Sequence, residues 1–497
     1  MAVIAGIDNG TQSTKVLVYD SLTKKTLAIA SSPHQIISRD DGTREQMASW
    51  WIDALKDCFS QIDKAIRFSI QAIGVSGQQH GFVPVSETGE VLAPVKLWCD
   101  TSTIEECEII TEKLGGADKA IKTTGNEIKP GYTASKVLYL KRHNIDAYKK
   151  MRWIMLPHDY LNYILTDNPT MEYGDASGTA FFDVKTRKWS KAVLDAIDEE
   201  RDLAKCLPPL IRFDQESGKV SSKAAKMFGI PEGIPVSCGG GDNMMGAIGT
   251  GTVCEGDLTM SMGTSGTLYG ISSDPVVDPE GRLAAFCSST DTFLPLLCTM
   301  NCTVSSEVTR ALFKDDIAAF NAEAEKAPIG CEGVQMLPFF NGERTPNYPN
   351  GTGCIFGFNL TNMTRSNICR SAMESSVYAM KYGLDAFVSL GFKPQRIKLI
   401  GGGSKSALWR QMVSDVFNLP VSIPENSEAA AFGAALQALF AFEKANGKNI
   451  SIEQITGEHV KMDESKLCKP NSENHKAYET VYASWLEKVK AVAPLFS

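Results

Sequence analysis

The same short pattern occurs twice in this chain, about half its length apart. Near the start, the apolar residues 3–7 run into Asp8-Asn9-Gly10-Thr11-Gln12-Ser13-Thr14-Lys15, and the apolar stretch Val16-Leu17-Val18-Tyr19 follows at once. Further on, Leu258-Thr259-Met260-Ser261-Met262 runs into Gly263-Thr264-Ser265-Gly266-Thr267, and Leu268-Tyr269-Gly270 continues. Each copy reads strand, Gly-Thr turn, strand: a hairpin whose tip bares backbone N–H groups and hydroxyls. Two such tips, one per half, predict two similar domains facing each other across a cleft. Short Gly-Thr turns are also common enough to recur by chance. Separately, 497 residues exceed what one hydrophobic core organises, so two domains or more are expected. The division is expected near Gly246, giving domains over residues 1–246 and 247–497.

Around the hairpins, strand and helix patterns alternate. Trp51, Leu55, Cys58 and Ile62 recur at helical spacing within residues 47–62, so one face of that helix packs on a sheet. Ala72-Ile73-Gly74-Val75 reads as a buried strand ending at Ser76-Gly77-Gln78-Gln79-His80. In the second half, residues 368–390 predict a helix and Ile397-Lys398-Leu399-Ile400 a strand running into Gly401-Gly402-Gly403. A helix is expected from about Ser406, and another over the Ala-rich residues 429–442, whose small side chains permit close approach to a neighbour. The alternation predicts α/β domains with mixed sheets.

Four loops place glycine, hydroxyl or carboxylate residues after a buried strand, where open α/β sheets bind ligands. At residues 8–15, Gly10 lets backbone approach a phosphate, Thr11, Ser13 and Thr14 can donate, Lys15 adds positive charge, and Asp8 could hold Mg²⁺ through water. A plain surface hairpin has the same composition. At Cys238-Gly239-Gly240-Gly241-Asp242-Asn243, the glycines admit a ligand and Asp242 is a candidate general base, or simply the N-cap of the next helix. Gly263-Thr264-Ser265-Gly266 is a second phosphate cradle. Gly401-Gly402-Gly403-Ser404-Lys405-Ser406 offers a flat surface for an adenine ring, or a tight turn. GxxxxGK[ST], strand-linked GxGxxG and GxSxG are absent, so ATP, if bound, would be held by the two hairpins.

Composition removes other classes. A formal net charge of −8 opposes a nucleic-acid partner. No basic amphipathic stretch suggests a membrane surface, and no apolar run approaches about 20 residues. Thirteen scattered cysteines without CxxC spacing read as reduced thiols in a cytosol, and the six dispersed histidines oppose a transition-metal site.

Taken in order, these loops resemble the FGGY carbohydrate kinases, within the superfamily of actin, hexokinase and the Hsp70 ATPase. The matching segments are Gly6-Ile7-Asp8 with Gly10-Thr11, Glu45-Gln46 before Trp50-Trp51, residues 76–81, 97–100, 130–136 and 157–160, then Gly239-Gly240-Gly241-Asp242-Asn243. They continue with Gly263-Thr264-Ser265-Gly266, Gly342-Glu343-Arg344-Thr345-Pro346, Gly401-Gly402-Gly403 and Gly433-Ala434-Ala435. The resemblance implies two ribonuclease H-like domains with an interdomain cleft, and transfer of phosphate from MgATP to a sugar hydroxyl.

The Gly-Gln-x-His-Gly and Gly-Glu-Arg-Thr-Pro stretches look like those of members acting on D-xylulose, so a pentulose is the expected acceptor. By the same resemblance Asp242 is the catalytic base, and Asp8 positions Mg²⁺ in its water shell. Gln79, His80, Trp98, Asp100, Asp242 and Asn243 contact the sugar. Gly10, Thr11, Gln12, Ser13, Lys15, Gly263 and Thr264 hold phosphates, and Gly402, Gly403 and Ser406 line the adenosine site. The chain departs from the family at Gln79, where many bacterial members acting on xylulose carry Met, at Asn9, where Leu is usual, and at Tyr139, where Trp is favoured. Glycerol kinases have Arg-Glu where this chain has Gln79-His80. Ribulose, gluconate and fuculose stay open as alternative acceptors, as does a non-catalytic, actin-like ATP-dependent clamp. A sugar-sensing regulator would need a helix-turn-helix extension, which is absent. A cytoplasmic enzyme is expected, and the resemblance admits a homodimer.

Overall fold

A computed structural model describes residues 2–496. The first half is built on a seven-stranded sheet. Its strands are β1 (Val3–Asn9), β2 (Ser13–Asp20), β3 (Lys25–Pro33), β4 (Ile70–Gly77), β5 (Glu216–Lys219), β6 (Pro235–Ser237) and β7 (Gly240–Gly241). They lie in the order β5-β6-β4-β1-β2-β3, with β7 beside β4. The second half contains β8 (Asp257–Met262), β9 (Gly266–Gly270), β10 (Leu296–Thr299), β11 (Arg396–Ile400) and β12 (Val421–Ser422), ordered β10-β9-β8-β11-β12.

The two sheets share one topology. In each, the first three strands form an antiparallel meander, and a later strand joins the first in parallel (β4 on β1, β11 on β8). A further strand extends the parallel edge, β6 on β4 and β12 on β11. The repeat read from two short turns thus extends to five strands of each sheet, β5 and β7 of the first having no counterpart in the second.

Strands buried on both faces need helices on both sides. On one side of the first sheet, helix α1 (Ala48–Gln61) buries Trp51, Leu55, Cys58 and Phe59 against Ile7, Val16, Ile73 and Val75. The other side is covered by a helix from the second half. This is the Ala-rich helix Ala429–Ala445, which packs on β1, on β4 and on the helix Asp242–Gly249. Backbone meets backbone there. A Cβ on Gly6 would lie 1.8 Å from the Ala431 carbonyl oxygen, and one on Gly74 would lie 2.0 Å from that of Ala434. A Cβ on Gly433 would fall 1.7 Å from the Met245 carbonyl oxygen. Only glycine fits at such distances, so the small residues of this helix lock the halves together. Gly246, the expected division point, lies inside the helix Asp242–Gly249.

A loop of the second half also returns to the first. Asn126 exchanges two bonds with the backbone of Ala285, at 2.8 and 2.9 Å, and the Cys287 N–H donates to Ser177 Oγ at 3.0 Å. The remaining predicted helices are present as Arg365–Ser389 and Ala407–Phe417, the latter capped by Ser406. Among the described residues no helix is long and apolar enough to cross a membrane.

Candidate active site

Both hairpin tips are tight and bare. The Gly10 N–H donates to the Ser13 carbonyl at 3.0 Å, and the Gly263 N–H to that of Ser265 at 3.2 Å. A Cβ at either glycine would meet nothing closer than 3.4 Å, so packing does not demand glycine there. What glycine gives is exposed backbone of the kind that phosphate oxygens approach. Behind the first tip a polar network fixes the loop. Thr11 Oγ1 donates to Gln78 Oε1 at 3.2 Å and accepts from Trp98 Nε1 at 2.9 Å, while Gln46 Nε2 donates to the Thr11 carbonyl at 2.8 Å. Gln12 is exposed beside them. The second tip is gripped by the Cys302 and Thr303 N–H groups, each 2.9 Å from the carbonyl of Thr264 or Gly263.

Asp8 is the penultimate residue of β1. Lys15 is its antiparallel partner and Ser76 its parallel one. The Ser76 hydroxyl donates to Asp8 Oδ1 at 2.9 Å. Burial raises its carboxyl to about 6, against the lowering effects of that bond and of Lys15. Lys15 itself is tied to Glu428 of the second half at 2.5 Å.

Asp242 is the first residue of its helix, and Gly241 takes the N-cap position. The cap alternative for Asp242 is therefore not realised. Its Oδ1 accepts from the Asn243 N–H at 2.8 Å and from Asn243 Nδ2 at 3.1 Å. Burial, then the charges of Asp8 and Asp175, raise this carboxyl to about 7. A carboxylate that titrates near neutrality can take a proton from a hydroxyl in working conditions.

The two acids feel each other's charge, and among the described residues neither forms an ion pair. A hard divalent cation together with a phosphate chain would relieve their repulsion, so the donor set suits Mg²⁺ held by one carboxylate and water. No group of three or more His, Cys, Asp or Glu among the described residues could hold a metal unaided.

On the other side of Asp242, Asn243 Nδ2 donates to Gln79 Oε1 at 2.8 Å. His80 adopts φ 64°, a left-handed conformation that side chains seldom take and that marks functional loops. It is held there by its carbonyl, which accepts from Lys136 Nζ at 2.8 Å and Thr133 Oγ1 at 3.2 Å. Lys136 is fully buried, and burial lowers its ammonium to about 7. Burial and the Lys136 charge lower the His80 imidazole to about 3, so the ring is neutral. It packs between Tyr132 and Phe286, with centroids 4.8 and 5.6 Å away. Gln79, His80, Asp242 and Asn243 thus gather around one region, while Trp98 stands against Thr11 of the first tip. Asp100 does not join them freely. It is 0% exposed, and its oxygens accept from the Arg44 N–H at 2.8 Å, Ser102 Oγ at 2.6 Å and Lys96 Nζ at 3.3 Å.

In the loop expected to meet adenine, Gly402 is exposed just after β11 with nothing nearer to its would-be Cβ than 3.9 Å. Gly403 is buried against Met262 and Trp409. Ser406 caps its helix through the Trp409 N–H at 3.4 Å.

Sequence reasoning missed a buried layer next to Gln79 and Asp242. His158, 0% exposed, stands 2.7 Å from Asp175 Oδ2 and 3.0 Å from Asp159 Oδ1. Asp175 also abuts Gly241, whose Cβ would come within 3.1 Å of its Oδ1. Phe286 and Ser289 arrive from the second half, and Ser289 Oγ donates to Glu172 Oε2 at 3.2 Å. The only signal in the sequence was the Pro157-His158-Asp159-Tyr160 segment, to which no role was attached.

Comparisons with known proteins agree along the whole chain. The model of the FGGY family of carbohydrate kinases, N-terminal domain, matches residues 3–249, and that of the C-terminal domain matches residues 258–442. A xylulose kinase of Haemophilus influenzae is 43% identical over 488 residues, covering 97% of this chain and 98% of the relative. A solved xylulose kinase from Bifidobacterium adolescentis superposes with a TM-score of 0.83 at 27% identity, over 96% of this chain and 99% of the other. A gluconate kinase from Lactobacillus acidophilus reaches a TM-score of 0.90 at 22% identity, over 100% of this chain and 99% of the other, which speaks to fold alone.

Proposed function

The chain belongs to the FGGY family of carbohydrate kinases, and from that premise we propose that it transfers the γ-phosphoryl group of ATP to the terminal hydroxyl of D-xylulose. The products are D-xylulose 5-phosphate and ADP. The observation that carries the proposal is the position of Asp242, which is hydrogen-bonded through Asn243 to Gln79 on the sugar side and feels the charge of Asp8 on the phosphate side. The acceptor follows from the near-full-length likeness to a xylulose kinase.

In this reading Asp242 accepts the proton of O5 as that oxygen attacks the γ-phosphorus. The bond from the γ-phosphorus to the bridging oxygen breaks, and ADP leaves with the electron pair. General-base help of this kind contributes about 10²–10⁴ in rate, and positioning with charge stabilisation supplies most of the rest. Gly10, Thr11, Gln12, Ser13, Lys15, Gly263 and Thr264 hold the phosphates, and Gly402, Gly403 and Ser406 line the adenosine site. Gln79, neutral His80, Trp98 and Asn243 orient the sugar, while Asp100 supports the loop that carries Trp98. Asp8 is the residue that would hold Mg²⁺ through water, and the bound ion would neutralise phosphate charge.

Lys15 leaves Glu428 for phosphate when nucleotide binds, and the halves close to exclude water, since an open cleft would hydrolyse ATP.

A coupled ADP-release assay over D-xylulose, D-ribulose, L-ribulose, gluconate and L-fuculose tests the acceptor. D-Xylulose is expected to give the highest kcat/KM. A tenfold preference for another sugar would move the substrate and keep the chemistry. ADP release independent of every sugar would favour a nucleotide-driven clamp.

A further inference from the structure

The loop Gly342-Glu343-Arg344-Thr345-Pro346 has no part in the reaction as described, yet it is a built structure. Glu343 is 3% exposed, and its carboxylate accepts from the Met300 N–H at 2.7 Å, the Arg344 N–H at 2.8 Å, Asn301 Nδ2 at 3.2 Å and the Asn301 N–H at 3.3 Å. Glu343 and Tyr348 exchange backbone bonds at 2.8 and 2.9 Å. The segment gripped by Glu343 continues directly into Cys302 and Thr303, which hold the second hairpin tip. The backbone of Arg344 is therefore fixed relative to a phosphate loop.

Its side chain is left free. Arg344 is exposed, and its guanidinium lies 6.0 Å from the Trp98 ring centroid, across the cleft on the first half. Trp98 is the residue bonded to Thr11 of the first tip. The other polar contact of the guanidinium is a weak one, Nη1 to Cys298 Sγ at 4.0 Å. Among the described residues Arg344 forms no ion pair, although its charge is felt at Tyr132, His80 and Cys298. Lys15, the cation on the first tip, is already paired with Glu428. Among the described residues, the carboxylates Asp8 and Asp242 thus face a lysine already paired and a guanidinium without an ion pair.

An arriving phosphoryl group needs a cation there to offset Asp8 and Asp242, and a planar guanidinium matches phosphate oxygens in pairs. We infer that Arg344 clamps the phosphoryl group during its transfer and then holds the 5-phosphate of the product, with Glu343 as the residue that positions it. The inference rests on the kinase reading above. It adds a charged contact from the second half to a group that ends up on the sugar.

The test compares wild type with Arg344→Ala, Arg344→Lys and Glu343→Gln. It measures kcat, KM for D-xylulose, and binding of D-xylulose 5-phosphate by calorimetry in the absence of nucleotide. Arg344→Ala is expected to lower kcat about 100-fold, in the range found for loss of one charge-stabilising donor. It should also weaken the sugar phosphate about tenfold, while KM for the uncharged sugar stays within about twofold. Lysine at 344 should restore part of both losses, and Glu343→Gln should show the same pattern more weakly. A raised KM for D-xylulose with unchanged sugar-phosphate affinity would overturn the clamp and make Arg344 a sugar contact. No change in either quantity would also overturn it. Because Arg344 is exposed, loss of folding does not cloud the result. Absence of turnover in the wild type would count against the kinase reading itself, and the binding comparison would then decide the clamp separately.

Discussion

Asn243 donates one side-chain amide to two acceptors, Gln79 Oε1 at 2.8 Å and Asp242 Oδ1 at 3.1 Å. The loop after β4 and the N-terminus of the helix Asp242–Gly249 are thereby one hydrogen-bonded unit. Removing the amide leaves Gln79 Oε1 without this donor and Asp242 Oδ1 held by the Asn243 backbone N–H alone. Each bond lost corresponds to about 1 kcal/mol. Asn243→Ala is therefore expected to raise KM for D-xylulose about fivefold and lower kcat by a similar factor. Steady-state kinetics on purified variant and wild type would check both.

The pH dependence should follow Asp242. A base must be deprotonated to act, so kcat/KM is expected to rise with pH through about 7 and level off above it. The linkage to stability runs the other way. Burial raises the folded-state pKa of Asp242 to about 7 and of Asp8 to about 6, above the value of 3.8 for a free Asp. Their contribution is fully present below the unfolded pKa and is lost as pH rises through the folded one. Ligand-free protein should therefore lose stability through this window. Asp242→Asn should be more stable than wild type above neutrality by about 1–2 kcal/mol, the trade-off of an active-site charge. Thermal melts at several pH values would show the two curves diverging; parallel curves would contradict the assignment.

Gly433 tests the lock between the halves. A methyl group there would sit 1.7 Å from the Met245 carbonyl, so either the Ala-rich helix or the helix bearing Asp242 must move. Gly433→Ala is expected to cost about 3 kcal/mol or more. Activity of the folded fraction should fall with it, because Met245 lies on the helix that Asp242 begins. Denaturant titration alongside specific activity would measure the two together.

His158 tests the buried layer. Burial alone would discharge its imidazole, but Asp159 and Asp175 outweigh burial and hold its pKa well above the usual value. His158→Ala leaves both carboxylates buried without a cation, which costs about 3–5 kcal/mol. His158→Gln, which can still donate to Asp175, should recover part of the stability. Loss of sugar affinity is expected in both, since Asp175 abuts Gly241 beside Asp242.

Much of this was legible in the sequence because it is local. The hairpins and the strand before Gln79 follow from apolar runs that end in turn residues, the helix Ala48–Gln61 from its periodicity and Ala429–Ala445 from its Ala-rich composition, and these, with Arg365–Ser389, lie within a few residues of their predicted bounds. Asp8 and Asp242 stood out because glycine-rich turns after apolar strands mark ligand loops. What was hidden is long-range. The small residues of the Ala-rich helix announced a close neighbour, but not that the neighbour was the first sheet, more than 400 residues away in the case of Gly6 and Ala431. Asp100 looked available until its bonds to Ser102 and Arg44 were seen. Asp175, Phe286 and Glu428 carried no local pattern, since their roles depend on a partner from elsewhere in the chain.

The account turns on Asp242, and sugar-dependent ADP release by wild type and Asp242→Ala with D-xylulose tests it most directly. The account predicts rapid, D-xylulose-dependent turnover in the wild type and a loss of at least about 100-fold in kcat for the variant, with fold and ATP binding retained. Activity surviving in Asp242→Ala would contradict it and place the proton acceptor on another residue.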